Sequence, residues 1–424
     1  MQLIRAAHIA GLAGLAALAP AMPVGADDRI DLTTTWYLER RRGPEGGLSV
    51  VHPQLDLELD AGESVAVAAG YSADVVSGAT TSVYSVDAVS SATKFDDVRH
   101  EAHASLAIKG SRSALSIGGG AAVERDYASI NLAVRGNVDL PGKNTNLALS
   151  YNHHFDQVCD RDNGILSGLE RRALTGFERC DLSSVLRVQD RPGETIWRDL
   201  RIDTAQATLT QNLSPTLVVQ AGLFGQVLRG FQANPYRRVR VSGVEPQESV
   251  PDVRGRAALL LQANRFLTGL RAAVHGSARG YSDTWGVSSL ALEMAYSQYA
   301  GDALLLRVRG RVYQQSEAKF FKDAFFYDTE GPAGEYFTGD RELAPIRNVL
   351  AGAKLSYIGI DEEGESVWGL FDEVRLDLKA DVLLLDELPA DTESDNPAGI
   401  GGQFLSSGQL IDALVLQLAL HTAF

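Results

Sequence analysis

Long stretches of this 424-residue chain alternate apolar and polar side chains at every second position. Beyond its first 26 residues no segment holds the 18 or so uninterrupted apolar residues of a spanning helix. Ala128, Ile130, Leu132, Val134, Gly136 and Val138 share one face, with Ser129, Asn131, Arg135 and Asn137 between them. Val374, Leu376, Leu378, Ala380, Val382 and Leu384 oppose Glu373, Arg375, Asp377, Lys379 and Asp381. Leu304, Leu306, Val308, Gly310 and Val312 oppose Arg307, Arg309 and Arg311, and Val253 to Leu261 oppose Arg254 and Arg256 in the same way. A period of two is the period of a β-strand, because successive side chains leave opposite faces of the pleat.

Strands with one wholly apolar and one charged face fit a transmembrane barrel, apolar toward lipid and charged toward a lumen. A soluble sandwich also alternates, since its outer faces are wet. Many of these segments exceed the mean globular strand of about 5–6 residues. The chain closes on Leu414, Leu416, Leu418, Leu420, Thr422 and Phe424. A terminal aromatic behind alternating apolar residues resembles the assembly signal of bacterial outer-membrane barrels. Turn residues divide the chain into sixteen expected strands, or fourteen if an early pair lies outside the wall. Tight turns such as 60–62, 110–111, 140–143 and 213–215 follow even strands. Long loops near 72–96, 156–193, 230–252, 316–344 and 383–404 follow odd ones. All long loops then fall on one side, the outside, and both termini on the periplasmic side. The expected fold class is an all-β transmembrane antiparallel barrel of one domain, residues 27–424.

Arg5, the apolar stretch from Ile9 to Ala19 and the small residues Val24-Gly25-Ala26 read as a cleaved secretory signal peptide over residues 1–26. Export through the general secretory route to the bacterial outer membrane follows. The chain carries 54 acidic and 39 basic side chains, a formal net charge of −15, which argues against a nucleic-acid partner. The expected partners are outer-membrane lipids, lipopolysaccharide and the barrel-assembly machinery; the sequence leaves the oligomeric state open.

An exported chain with only Cys159 and Cys180, 21 residues apart in one long loop, is expected to join them. Closing that loop removes about 3 kcal/mol of unfolded-chain entropy. Between them, the segment Gly164 to Gly176 reads as a short helix. Tyr71, Tyr127, Tyr151, Tyr281, Tyr313 and Trp368 fall near strand ends and suit interfacial girdles. Arg307, Arg309 and Arg311 form a basic ladder joined by Arg254 and Arg256, with Glu373, Asp377 and Asp381 as acidic partners. That set is read either as a constriction selecting anions or as ion pairing that stiffens the wall. No nucleophile elbow, nucleotide loop or metal set is found; His100 and His103 lie three apart in a strand pattern and so face opposite ways. A porin-like passive pore or surface structural protein, not an enzyme, is the expected role, with a barrel hydrolase as an unsupported third reading.

Several segments carry a family resemblance. They are Asp74-Val75-Val76-Ser77-Gly78-Ala79-Thr80 with a second copy at 87–93, and Asn234-Pro235-Tyr236-Arg237. Tyr281-Ser282-Asp283-Thr284-Trp285, Arg311-Val312-Tyr313-Gln314-Gln315 and Tyr336-Phe337-Thr338-Gly339-Asp340-Arg341 complete the series. In that order, from about residue 50 to the C-terminus, the chain resembles a family of uncharacterised bacterial outer-membrane barrels. The resemblance implies a barrel and a location, with no activity. The Asp-x-x-Ser-Gly-Ala-Thr segment also looks like the sequence onto which flavin transferases attach FMN. That likeness implies an envelope redox component with Thr80 as acceptor, Thr93 as a weaker copy, and Asp74, Ser77, Gly78 and Ala79 as context. A loop suited to turns is the plainer reading, and the expected loop lies on the side away from a periplasmic transferase. The leading expectation therefore carries no cofactor.

Overall fold

The computed structural model describes residues 28–39, 48–80, 93–161, 168–174, 178, 180, 195–239, 244–321, 335–360, 367, 371–388 and 412–424. Sixteen strands account for most of them. The first eight are β1 (Arg29–Glu39), β2 (Leu48–Asp60), β3 (Val65–Thr80), β4 (Thr93–Lys109), β5 (Ser113–Glu124), β6 (Tyr127–Asp139), β7 (Thr145–Arg161) and β8 (Thr195–Ser214). The rest are β9 (Leu217–Gly230), β10 (Val253–Leu267), β11 (Ala272–Asp283), β12 (Ser288–Ala300), β13 (Leu304–Gln315), β14 (Ile346–Ile360), β15 (Glu373–Glu387) and β16 (Ala413–Ala423). Every strand pairs antiparallel with its neighbours in chain order, and β1 pairs with β16 to close the barrel. That seam runs from Arg29 opposite Ala423 to Glu39 opposite Ala413. The Phe424 N–H continues it by donating to the Asp28 carbonyl, 3.0 Å away.

The alternation of the sequence becomes the two faces of the wall. Ile130, Leu132, Leu223, Met294, Leu306 and Val308 point outward and are 46–68% exposed. Their strand neighbours Ser129, Glu293, Arg307 and Arg309 face the lumen. A closed ring of hydrogen bonds leaves no open sheet edge, the condition for a β structure to sit in hydrocarbon. The tight turns need special backbone at few places. Gly142 adopts φ +92° beside Lys143 at +54° in the β6–β7 turn, where the Lys143 N–H donates to the Leu140 carbonyl at 2.9 Å.

The two ends differ. The connections 61–64, 110–112, 140–144, 215–216, 268–271 and 301–303 are short and lie at one end, called here the turn end, where 361–372 is longer than the four-residue turn expected at 361–364. At the loop end lie the long connections 162–194, 231–252, 316–345 and 388–412, with two short ones at 125–126 and 284–287. Several expectations change. β3 reaches Thr80 and β4 starts at Thr93, so the expected 72–96 loop contracts to 81–92, outside the described residues. The hairpin extends because apolar pairing continues past residue 72: Val75 stands opposite Val98, both on the outer face. β15 and β16 begin later than expected, at Glu373 and Ala413. The segment proposed as a helix has a turn at 168–170 followed by irregular backbone to 174, its other residues lying outside the described ones. The Leu174 N–H there donates to the Pro235 carbonyl of another loop, 2.7 Å away, rather than to its own turn. Residues 1–26, expected to form a signal peptide, also lie outside the described ones.

Cys159 and Cys180 form a disulfide with Cα atoms 6.0 Å apart. Together with Leu174 they build a small buried cluster against Trp197 and Tyr236. The bond anchors the long β7–β8 loop to the β7 strand end. The Cys159→Ser, Cys180→Ser variant is expected to keep the heat-modifiable gel migration of a closed barrel while protease nicking between residues 161 and 195 rises several-fold. Unchanged nicking counts against the disulfide as the loop's anchor.

Candidate functional site

The lumen face of β10–β15 is the chemically densest part of the wall. Arg254, Arg256, Arg279, Arg307, Arg309, Arg311, Lys354, Arg375 and Lys379 stand there against Asp283, Glu293, Glu373, Asp377 and Asp381. In a chain with a net charge of −15, this half of the lumen carries more cations than acids. The facing half, β1–β7, supplies Asp31, Asp56, Asp74, Glu101 and Asp156, held by histidines and Arg99. His52 Nδ1 lies 2.6 Å from Asp74 Oδ1, and Arg99 Nη2 lies 2.9 Å from Glu101 Oε2.

The five arginines singled out by sequence do not form one uniform ladder. Arg254 is buried, donates through Nε and Nη2 to Asp283 Oδ2, and stacks 4.2 Å from the Trp285 ring centre. Arg309 is the locked middle rung: Nε and Nη2 reach Asp381 Oδ1 and Oδ2 at 3.0 and 2.6 Å. Two-point pairing of this kind fixes both partners. Arg307 and Arg311 flank it with weaker contacts. Arg307 Nη2 lies 3.9 Å from Glu293 Oε1, and Arg311 Nη2 lies 3.5 Å from Asn348 Oδ1. Arg256 donates to Gln226 Oε1 at 3.2 Å. Of the expected acidic partners, Asp381 also meets Lys379 at 3.2 Å. Asp377 instead serves Arg375, Lys354 and His421, at 2.8, 3.1 and 3.6 Å. Glu373 is exposed at the start of β15. Glu293, directly opposite Arg311 in the register, was missed by the sequence reading. Its signal was available, for it is the charged inward-facing residue between the outward-facing Leu292 and Met294.

Two ion pairs cross over a glycine on the strand between them. Arg309, Gly352 and Asp381 lie in one row across β13, β14 and β15. A Cβ at Gly352 would collide with the Asp381 carboxylate. Likewise His103 Nε2 lies 3.2 Å from Asp56 Oδ1 across Gly70, where a Cβ would strike both groups.

Over the loop end, the two connections 231–252 and 316–345 knit together on Glu248. This residue is 2% exposed. It accepts from the Asn234 N–H at 2.5 Å and the Thr338 hydroxyl at 2.7 Å, with Arg237 Nε at 3.5 Å. Arg237 Nη1 in turn lies 2.9 Å from Asp340. Asp160 at the end of β7 takes Gln247 Nε2 at 3.2 Å and Arg198 Nε at 3.3 Å. Lumen-facing Gln315 donates to the carbonyls of Glu342 and Ala344 at 2.9 and 2.7 Å. Burial pushes the Glu248 carboxyl up to about 7, with Asp340 adding to the rise and Arg237 opposing it.

Thr80, the flavin acceptor expected from sequence, is the last residue of β3 and pairs with Thr93 in the register, so both lie in a hairpin rather than a free loop. Ser77, Gly78 and Ala79 share that strand. Asp74 faces the lumen and holds His52. The tyrosine girdle also changes. Tyr71 and Tyr151 point outward, whereas Tyr127, Tyr281 and Tyr313 share the lumen face with Ser129, Arg279 and Arg311. Trp368 lies outside the described residues. His100 and His103 do face opposite ways, the first toward the Tyr71 hydroxyl at 2.7 Å. A serine, histidine and aspartate do meet on the lumen face of β6 and β7. Ser129 donates to Asp156 Oδ1 at 2.6 Å, and His154 Nδ1 lies 3.5 Å from its hydroxyl. The hydroxyl proton thus goes to the carboxylate, which Tyr127 also binds. This is a buried hydrogen-bond network rather than the relay of a hydrolase. Among the described residues no cluster has metal-ligand geometry.

Residues 3–358 match the sequence family described as Protein of unknown function (DUF3570). The match begins earlier than the expected resemblance and stops at the end of β14. No curated protein matches the chain. Among solved structures, a bacterial polysaccharide outer membrane secretin is 8% identical, with a TM-score of 0.48 over 94% of this chain and 98% of its own. CdiB from Acinetobacter baumannii is 8% identical, with a TM-score of 0.46 over 94% and 60%. OccK2 of Pseudomonas aeruginosa in complex with glucuronate is 10% identical, with a TM-score of 0.40 over 94% and 98%. At that level of likeness no argument rests on them.

Two predictions follow from the geometry above. Gly352→Ala is expected to cost about 1–3 kcal/mol in urea unfolding, because the added methyl displaces Asp381 from Arg309. In an Asp381→Ala background most of that cost should vanish, and an equal cost there contradicts the crossing pair. The second concerns Glu248. Its folded value lies above the ordinary 4.5, so its contribution is complete below 4.5 and is lost as pH rises through about 7. Hydrogen exchange at 244–250 and 335–340 should therefore be slower at pH 5.5 than at pH 8.5 after correction for intrinsic rates, and Glu248→Gln should flatten the difference.

Proposed function

The chain belongs to that family, DUF3570, and we propose that it is a passive pore of the bacterial outer membrane, admitting small hydrophilic solutes. One observation carries the reading: around a closed ring of sixteen strands, the outer face is apolar and the inner face charged. An apolar belt suits a bilayer, and barrels of 16–18 strands leave an aqueous channel. The loop cap described above covers lumen-facing residues at one end and narrows the entrance. In this reading the long-loop side faces the outside of the cell, as long loops do in bacterial barrels, and the turns and termini face the periplasm. The pore carries no catalytic role in this reading. Covalent flavin on Thr80 has less support, since the acceptor is paired within a hairpin.

Purified, folded protein is expected to give stepwise conductance in planar bilayers; a barrel that never conducts contradicts the pore. The membrane setting has its own test. Leu132→Arg on the outer face should destabilise the barrel refolded in bilayers by about 2–4 kcal/mol. Ala133→Arg on the lumen face should cost much less, and equal costs contradict a lipid-facing belt.

A further inference from the structure

We propose that Arg256, Arg279, Arg311 and Arg307 form a descending series of docking points for a carboxylate-bearing solute, an inference that rests on the pore reading. The lumen arginines of β10–β15 divide by how they are paired. Arg254, Arg309 and Arg375 are each held at two points by a carboxylate. These three are parts of the wall. The other four keep spare donors. Arg256 has a single amide partner, Arg311 an amide at 3.5 Å, and Arg307 a carboxylate oxygen at 3.9 Å. Arg279 has no hydrogen-bond or ion-pair partner among the described residues. In all four the Nε is enclosed and bonded to nothing.

A guanidinium offers five N–H donors in a planar fork, and leaving them unmet in a partly desolvated place is costly. At Arg254, Arg309 and Arg375 two donors of the fork are met by a carboxylate. At the other four no carboxylate engages the fork at two points, Glu293 reaching Arg307 only at 3.9 Å, so an incoming one completes them. The fork matches a planar carboxylate at two points, which a lysine or a hydrated pore wall does not.

The register places the four in sequence. Arg256 lies nearest the loop end, opposite Asp283. Arg279 is four residues deeper on β11, in the row that continues through Ala291 to Tyr313. Arg311 lies one inward-facing position below Tyr313, and Arg307 two below that, past the locked Arg309. Tyr281 and Tyr313 face the lumen between them, their hydroxyls engaged by Asp283 and Gln315. Their rings line the same path. Several incomplete sites at short intervals hold an anion long enough to admit it and weakly enough to pass it on.

The experiment measures reversal potential in a KCl gradient and block of single-channel current by citrate, for wild type and for Arg279→Gln with Arg311→Gln. Wild type should prefer anions and be blocked by citrate. The double variant should need about tenfold more citrate, as loss of charged hydrogen bonds implies, and Arg271→Gln at the turn end should match wild type. Conductance without anion preference and without citrate block overturns the docking series, as does unchanged block in the double variant. A folded barrel that never conducts overturns the pore reading instead. Calorimetric titration of citrate into the detergent-folded protein then decides the series. Binding in wild type that is lost in the double variant upholds it; no binding, or equal binding in both, overturns it. Heat-modifiable migration confirms that each variant is folded.

Discussion

Everything in this molecule depends on the pairing of β1 with β16. Eleven residue pairs join strands almost four hundred residues apart in the chain. Without them two sheet edges would carry unpaired N–H and C=O groups, and hydrocarbon offers nothing to bond them. Closure also removes the usual reason for a protein to bury apolar side chains inward. The outer face takes them, and the interior is free to hold charge. The apolar surface on Met294 or Ile130 is then a solvent-matching feature of the wall, and the arginines behind it are the content of the protein.

Charge inside the barrel is organised by rows across the sheet. A row brings together residues whose numbers bear no simple relation, such as Arg309, Gly352 and Asp381. Where the middle member is glycine, side chains from strands two apart meet over it. This device stiffens the wall and also consumes charge. Arg309 and Asp381 cancel each other; Arg307 and Arg311, on the same strand, do not. An electrostatic ladder read along one strand therefore overstates the charge that a solute meets.

Strand number, face parity, the disulfide and the limits of most strands were legible in the sequence, because each follows from local pattern or from cysteine arithmetic; the ends of β3 and β7 and the starts of β15 and β16 were not. What was not legible lies in relations between strands. Glu293 pairs with arginines through a register that no single segment reveals. The tyrosines show the same limit in miniature: nearness to a strand end suggested a girdle, but parity turns Tyr127, Tyr281 and Tyr313 inward. The cap was invisible for a different reason. Asn234 and Arg237 in one long loop and Thr338 and Asp340 in another meet around Glu248, buried in the first. Four of the segments that carried the family resemblance, Asn234–Arg237, Tyr281–Trp285, Arg311–Gln315 and Tyr336–Arg341, lie in the cap or the wall beneath it, whereas Asp74–Thr80 lies in β3.

The central claim is that side-chain parity sorts the wall into a dry outer face and a wet inner one. Single cysteines placed in turn at residues 305–312 of β13, in protein folded into liposomes, test it directly with a water-soluble maleimide; the native cysteines are oxidised and silent. Labelling should alternate, strong at 305, 307, 309 and 311 and weak at 306, 308, 310 and 312. Uniform labelling, or labelling confined to the even positions, would contradict a lipid-embedded barrel with a charged lumen.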